Sequence, residues 1–288
     1  MRLGVIGHTG YDELPEILTA LFKAAPALGL ELLFEKELHE VARGGERLEN
    51  PQGLDALVTL GGDGTLLRGA RFLAGTPVPI LGVNLGRLGF LTTCGSGDFD
   101  SALRLLAEKK FVAEARMTLG GSAVDGGGAT RQQWLALNDF VLHKGGYARV
   151  VRLGISVDGD SIGTYAADGV IISTPTGSTA YSLSAGGPVV VPTVESIILT
   201  PISAHTLAVR PLVIAPSAEV VIEARHSSEE LLVTVDGQVG TKLVAGEKLV
   251  VRRAPHPVLI VRLHGASFFE RMRVKLGWGG LPERDEPT

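Results

Sequence analysis

The chain has 288 residues, room for one large domain or two smaller ones, and 45% of them are apolar, enough to fill a core at that length. A net charge of −4 without a basic cluster argues against nucleic acid as the main partner. The single cysteine, Cys94, excludes an intrachain disulfide framework, and no apolar run reaches the ~18 residues of a membrane span, so a cytoplasmic protein with no membrane partner and no signal peptide is expected.

The predicted elements begin with a short apolar strand, Leu3 to Ile6, ended by Gly7-His8-Thr9-Gly10. Asp12 is placed to cap a helix with Pro15 in its first turn, and Leu14, Ile17, Leu18, Leu21, Phe22 and Ala25 recur along it at helix spacing. A second strand spans Leu30 to Phe34, and a loop rich in glycine and charge covers 43–53. Ala56 to Leu60 reads as a buried strand, and Gly61-Gly62-Asp63-Gly64-Thr65 follows at once. Leu66, Leu67, Ala70 and Leu73 then repeat with helix spacing. Strand, tight glycine turn and helix together suit phosphate, because the turn lets a ligand approach the backbone and the helix start offers unpaired N–H groups. Asp63 is the odd member, since a phosphate repels a carboxylate. It fits if it holds a metal ion, accepts a proton from a nucleophile, or simply caps the helix.

Val78 to Asn84 is a further strand, so strands and helices alternate, which implies a parallel sheet with ligands beyond the carboxyl ends of its strands. Gly7–Gly10, Gly61–Thr65 and Asn84–Phe90 all lie at such ends, positioned to converge on one cleft. Asp98 is placed to cap a helix bearing Phe99, Ala102, Leu103 and Leu106. From Phe111 to about His264 the segments become short, β-branched and separated by glycine turns, the pattern of a β-sandwich. Ser267 and Glu270 then form a capping box for a helix carrying Phe268, Phe269, Met272 and Leu276. That helix is expected to return to the first domain, and the tail from Pro282 to fray. The expected division is therefore an N-terminal α/β domain over 1–97, completed by 266–288, and a β-rich domain over 98–265.

Two further stretches carry chemistry. Asp168 to Pro188 opens from the buried strand Val170–Ile172 into hydroxyls on a Pro/Gly turn, with Thr176, Thr179, Tyr181 and Ser184 among them. Such a run lines a pocket for a sugar or base, or else forms a polar surface turn. Asn138 and Asp139 interrupt an apolar strand, where polar groups are costly unless paired. They suit a purine edge and a ribose hydroxyl, or a bulge or strand end. Asp236-Gly237 is first a hairpin turn, and His205 reads as a structural histidine. Lys144, Arg149 and Arg87 flank these loops as phosphate-binding or ordinary surface charges. The chain lacks a Walker loop, a G-x-G-x-x-G helix start, kinase HRD and DFG motifs and a zinc-type His/Cys cluster.

Taken together, Gly61–Thr65, Asn84–Phe90, Asn138-Asp139, Asp168–Pro188 and Asp236-Gly237 resemble the NAD kinase family in order and spacing, from the first strand to Trp278. GGDGT alone is shared with lipid kinases and, loosely, phosphofructokinases. The STPTGSTAYSLSAGGP run makes the resemblance specific. It implies a homodimer or homotetramer that transfers the γ-phosphoryl group of ATP to the 2′-hydroxyl of the adenosine ribose of NAD. Asp63 would then be the base or orienting group, and Gly61, Gly62, Gly64 and Thr65 would cradle phosphates. Asn138 and Asp139 would hold the adenosine half of NAD, with Thr176, Thr179 and Tyr181 around the adenine. Asp168, Ala180 and Ser184 would face the nicotinamide half, Phe90 would wall the pocket, and Asp236 becomes a neighbour of the site. Mg²⁺ is expected through the ATP phosphates, with no dedicated protein metal site. Two departures stand out: many members carry Glu where this chain has Asp139, and Ala166-Ala167 stand where some members carry a larger polar residue, which leaves NAD against NADH open. The competing readings are a lipid or sugar kinase sharing GGDGT and a non-catalytic NAD(P)-binding sensor.

Overall fold

The computed structural model describes residues 1–279 apart from 88, 146–149, 206–207, 225–230, 245 and 264–266. Arg149 and the tail from Pro282, both singled out in the sequence, lie outside the described residues. The chain forms two compact units: Met1–Leu73, Val78–Glu114 and Leu259–Thr288 make one, and Ala74–Pro77 with Ala115–Val258 the other.

In chain order the first unit opens with β1 (Arg2–Gly7), α1 (Leu14–Leu28), β2 (Glu31–Phe34) and α2 (Lys36–Ala42). It continues with β3 (Glu46–Arg47), β4 (Ala56–Gly61), α3 (Asp63–Leu73) and β5 (Ile80–Asn84). After β6 (Cys94–Gly95) come α4 (Phe99–Ala107) and β7 (Val112–Arg116). The β-rich part holds β8 (Leu119–Val124), β9 (Thr130–Ala136), β10 (Asp139–Lys144), β11 (Val151–Val157), β12 (Asp160–Ala167) and β13 (Gly169–Ser173). A short helix α5 (Tyr181–Ser184) precedes β14 (Ile197–Ile202), β15 (Leu212–Ile214), β16 (Val220–Ala224) and β17 (Leu231–Val235). Then follow β18 (Val239–Leu243), β19 (Lys248–Arg253), β20 (Val258–Arg262) and α6 (Phe268–Leu276).

The first sheet runs β3-β2-β1-β4-β5-β20-β7, with β6 beside β5. Strands β2, β1, β4 and β5 pair in parallel, as the strand–helix alternation implies. Strand β4 is buried along its whole length, which is why it reads as a near-continuous apolar run, broken only by Thr59, rather than an alternating one. Helix α4 packs Phe99, Ala102, Leu103 and Leu106 into the same core as Leu14, Leu18 and Leu21 of α1. Residues 98–114, assigned from sequence to the β-rich domain, therefore sit with the first unit. An amphipathic stripe shows that a helix has a core to join, not which core.

Two expected caps differ. Glu13, in helical conformation, takes the N-cap position of α1 rather than Asp12 and makes no side-chain capping bond. Asp98 does sit at the N-cap of α4, but the preceding 3₁₀ turn leaves it out of the extended geometry that aims a capping oxygen, and its side chain makes no capping bond. Ser267 has that geometry (φ −66, ψ 164), and its hydroxyl accepts from Glu270 N at 3.2 Å. The helix it starts belongs to the first unit, as expected.

The second unit is a sandwich of two antiparallel sheets, β15-β14-β13-β10-β17-β18 and β12-β11-β16-β19-β8-β9. Phe140, Ile172, Leu199 and Val233 from one sheet share a core with Leu119, Leu153, Ile222 and Leu249 from the other. Buried and half-buried residues alternate along β8 and β17, the period of a strand with one face inward.

Candidate active site

In the first unit, the loops after β1, β4 and β5 come together. His8 N donates to Leu60 O at 3.0 Å, and Leu85 N to Gly61 O at 3.2 Å. Gly61 holds φ 155, and a Cβ there would lie 2.3 Å from Thr65 Oγ1, so the turn closes over Thr65 only because position 61 has no side chain. Tyr11 lies in the middle: a Cβ at Gly86 would approach its ring to 3.0 Å, and one at Gly62 would lie 3.4 Å from its hydroxyl. The three loops expected from the strand order to converge therefore do meet within this unit, around Tyr11.

Asp63 is the first residue of α3, but its carboxylate reaches across to the loop after β5. Oδ2 accepts from Phe90 N at 2.8 Å, and Oδ1 accepts from Leu91 N at 3.0 Å and Thr92 N at 3.3 Å. Three backbone donors thus fix the carboxylate, and Gly89 makes room for it. The same loop is held from its carbonyl side by α6. Arg271, 5% exposed, donates through Nη1 to Phe90 O at 3.1 Å and Thr92 O at 2.6 Å. Burial, followed by the neighbouring Arg262, lowers the Arg271 pKa to about 10, with Asp63, Glu114 and Glu270 opposing, so the group stays charged at neutral pH. One turn on, Lys275 Nζ lies 3.9 Å from Asp63 Oδ2 and 4.7 Å from the centre of the Phe90 ring. Sequence reasoning missed both cations. Their i, i+4 spacing was the available signal, and it is common to any charged helix.

In the second unit, Asp236 organises the junction between β9 and β10. It occupies the β17–β18 turn in a left-handed conformation (φ 51), so the hairpin reading holds. Its carboxylate also accepts from Leu137 N at 3.1 Å, Asn138 N at 2.7 Å and Asp139 N at 3.1 Å. Asn138 is half-buried at the strand end, with its backbone fixed from two sides, because Thr174 N donates to its carbonyl at 2.9 Å. Asp139 is buried, and desolvation followed by the charge of Asp236 pushes its pKa up to about 7. A carboxyl poised there can donate as well as accept a hydrogen bond at neutral pH.

The hydroxyl run folds as a compact turn. Thr174 Oγ1 donates to Leu137 O at 2.6 Å, and Ser178 Oγ to Pro175 O at 2.6 Å. Thr176 is buried and accepts from Arg116 Nη1 at 3.2 Å. Arg116 is only 2% exposed, a cation beside the hydroxyl run that the sequence did not single out. Thr179 and Ala180 are half-buried, whereas Tyr181 and Ser184 are exposed on α5. Asp168 is not gathered here. Strands β10 and β13 are antiparallel, pairing Asp139 with Ser173 and His143 with Gly169, so Asp168 sits at the other end of β13, where it pairs with Lys144 Nζ at 2.7 Å. His205 is exposed rather than satisfied in a core. Arg87 is an exposed charge. Burial, then Asp98, pushes the Cys94 thiol up to about 12, which leaves it unreactive. Among the described residues, no group of three or more His, Cys, Asp or Glu could hold a metal ion.

Residues 7–111 match the ATP-NAD kinase N-terminal domain family, and residues 137–263 match the ATP-NAD kinase C-terminal domain family. The chain is 60% identical over 285 residues to an NAD kinase of Gemmatimonas aurantiaca, with 99% of each chain covered. The chain belongs to the NAD kinase family. A second NAD kinase, from Syntrophotalea carbinolica, is 40% identical over 282 residues, covering 96% of this chain and 99% of the relative. Among solved structures, an NAD kinase from Archaeoglobus fulgidus in complex with ATP is 28% identical with a TM-score of 0.74, covering 96% of this chain and 98% of that one. Yeast NADH kinase complexed with NADH shares the fold, with a TM-score of 0.87 at 24% identity over 98% of this chain and 88% of that one. The N-terminal family match contains Asp63 and its loop, and the C-terminal match contains Asn138, Asp139, the hydroxyl run and Asp236. Arg116, Arg271 and Lys275 fall outside both.

Proposed function

We propose that the protein transfers the γ-phosphoryl group of ATP to the 2′-hydroxyl of the adenosine ribose of NAD, giving NADP. The observation that carries this is Asp63: a carboxylate in a glycine turn at the start of a helix, held by three backbone donors, in a chain of the NAD kinase family. Phosphoryl transfer depends chiefly on positioning and charge neutralisation. Asp63 is the group that orients the acceptor hydroxyl and takes its proton. Gly61, Gly62, Gly64 and Thr65 bring backbone close to the phosphates, with Phe90 as a wall. Asn138, Asp139, Thr176, Thr179 and Tyr181 bind the adenosine half of NAD, while Ala180 and Ser184 serve the nicotinamide half; Asp168, paired with Lys144 at the other end of β13, serves that half from a separate position. Asp236 acts by fixing the Asn138-Asp139 backbone. The ATP complex of the Archaeoglobus relative supports ATP as donor. Mg²⁺ is the divalent cation this reading takes, and among the described residues no group of three or more His, Cys, Asp or Glu could hold it. The ion would arrive on the nucleotide phosphates, where it neutralises charge. No helix among the described residues is long and apolar enough to cross a membrane, and the reading takes the protein as a cytoplasmic homodimer or homotetramer.

The test is purified protein with Mg²⁺-ATP and NAD, with NADP followed through an NADP-specific dehydrogenase. Asp63→Asn is expected to lower turnover by ~10²–10⁴-fold, the usual cost of losing a general base, while NAD still binds by calorimetry. Near-normal turnover by Asp63→Asn overturns the role of Asp63. NAD binding by the wild type without consumption of ATP replaces the kinase with a binding protein.

A further inference from the structure

A base next to a phosphoryl group in flight has an unanswered charge problem. The carboxylate of Asp63 and the phosphoryl oxygens repel one another, and the glycine turn carries no cation of its own. Arg68, further along α3, is committed: its Nη2 donates to Gly7 O at 2.5 Å and to Glu35 at 2.6 Å. Lys275 of α6 meets the need. Its Nζ lies 3.9 Å from Asp63 Oδ2, within Coulombic reach but beyond a hydrogen bond. The ammonium sits over the Phe90 ring and is about one-third exposed, so it is held by a ring face and a field rather than locked in a pair. Arg271 sets the spacing. It clamps the carbonyls of Phe90 and Thr92, while Asp63 takes the N–H groups of Phe90, Leu91 and Thr92. One short loop is thus gripped on both edges, and its two grips bring α6 and the base into register.

We propose that α6 is a working part of the phosphoryl-transfer site: Lys275 compensates the charge of Asp63 as the phosphoryl group arrives, and Arg271 sets that geometry through residues 90–92. Both are positioning residues, acting through Asp63. The inference rests on the assignment of Asp63 as the acceptor-side carboxylate.

The experiment compares full-length wild type, Lys275→Gln, Lys275→Arg, Asp63→Asn and the Asp63→Asn/Lys275→Gln double variant, each checked by thermal unfolding. Losing a preorganised charge is expected to lower kcat of Lys275→Gln by about 10–100-fold, with KM for NAD within about twofold. Lys275→Arg recovers most of that loss because it restores the charge. In the Asp63→Asn background, where no charge needs compensation, adding Lys275→Gln lowers kcat by less than about threefold. Wild-type kcat in Lys275→Gln overturns the proposal, as do equal losses in Lys275→Gln and Lys275→Arg, or an undiminished loss in the double variant. If Asp63→Asn is crippled while Lys275→Gln is normal, the helix proposal alone falls. If Asp63→Asn itself turns over normally, both fall.

Discussion

Gly89 offers a direct test of how Asp63 is held. A Cβ at this position would lie 2.0 Å from Asp63 Oδ1, 2.7 Å from Cγ and 2.9 Å from Oδ2. Gly89→Ala must therefore push the carboxylate away by about 1 Å or more to reach ordinary contact. The loop cannot retreat instead, because Arg271 holds the carbonyls of Phe90 and Thr92. Hydrogen bonds to a charged group are each worth ~1.5–3 kcal/mol net. Here three donors share two oxygens at a half-buried site, so the combined loss is about 2–4 kcal/mol rather than their sum. In a protein of this size that lowers Tm by roughly 3–7 °C. A displacement of ~1 Å at a group that must meet a hydroxyl also costs about 10²-fold in kcat. Differential scanning calorimetry and the coupled NADP assay read the two effects separately. A Gly89→Ala protein with kcat within about threefold of wild type and an unchanged Tm would refute the view that the loop is built around this carboxylate.

Two predictions concern the second unit. Asp139, raised from the ordinary 3.8 to about 7 by burial and then by Asp236, keeps its proton in the fold over a range where the unfolded chain has lost it. The folded state then binds more protons, so this group's contribution is fully present below about pH 4, falls as pH rises, and is gone above about pH 7. Asp139→Asn cannot ionise, so its Tm should decline less than that of wild type between about pH 4 and 7; parallel Tm curves would contradict the raised pKa. Gly177→Ala would place a Cβ 2.1 Å from Asn138 O and 2.5 Å from its carbonyl carbon. Both are backbone atoms that cannot rotate away, so about 1–3 kcal/mol of stability should be lost, and NAD affinity with it. Wild-type NAD binding by calorimetry in Gly177→Ala would show that the Asn138 backbone does not set the adenosine contacts.

Much of the fold was legible because it rests on local periodicity. The apolar run Ala56–Leu60, the helix spacing from Leu66 to Leu73 and the alternation after residue 111 each report how one segment faces a core. The short helix α2 left no such trace, since Leu38 is its one buried residue. The chemistry-bearing motifs were visible too, because GGDGT and the long hydroxyl run are contiguous. What the sequence could not assign was partnership. Asp63 invited reading as a base, a metal ligand or a helix cap, and the structure shows its carboxylate oriented by N–H groups 27 to 29 residues away, with acceptor capacity left on Oδ2. Asp236 looked like a turn residue, and it is one, yet its carboxylate holds backbone 97 to 99 residues earlier. Arg271 grips Phe90 across 181 residues. A residue's type declares what it can donate or accept. Which donor or acceptor it meets depends on where the folded chain returns, and over separations of this size only the packing of whole elements decides that.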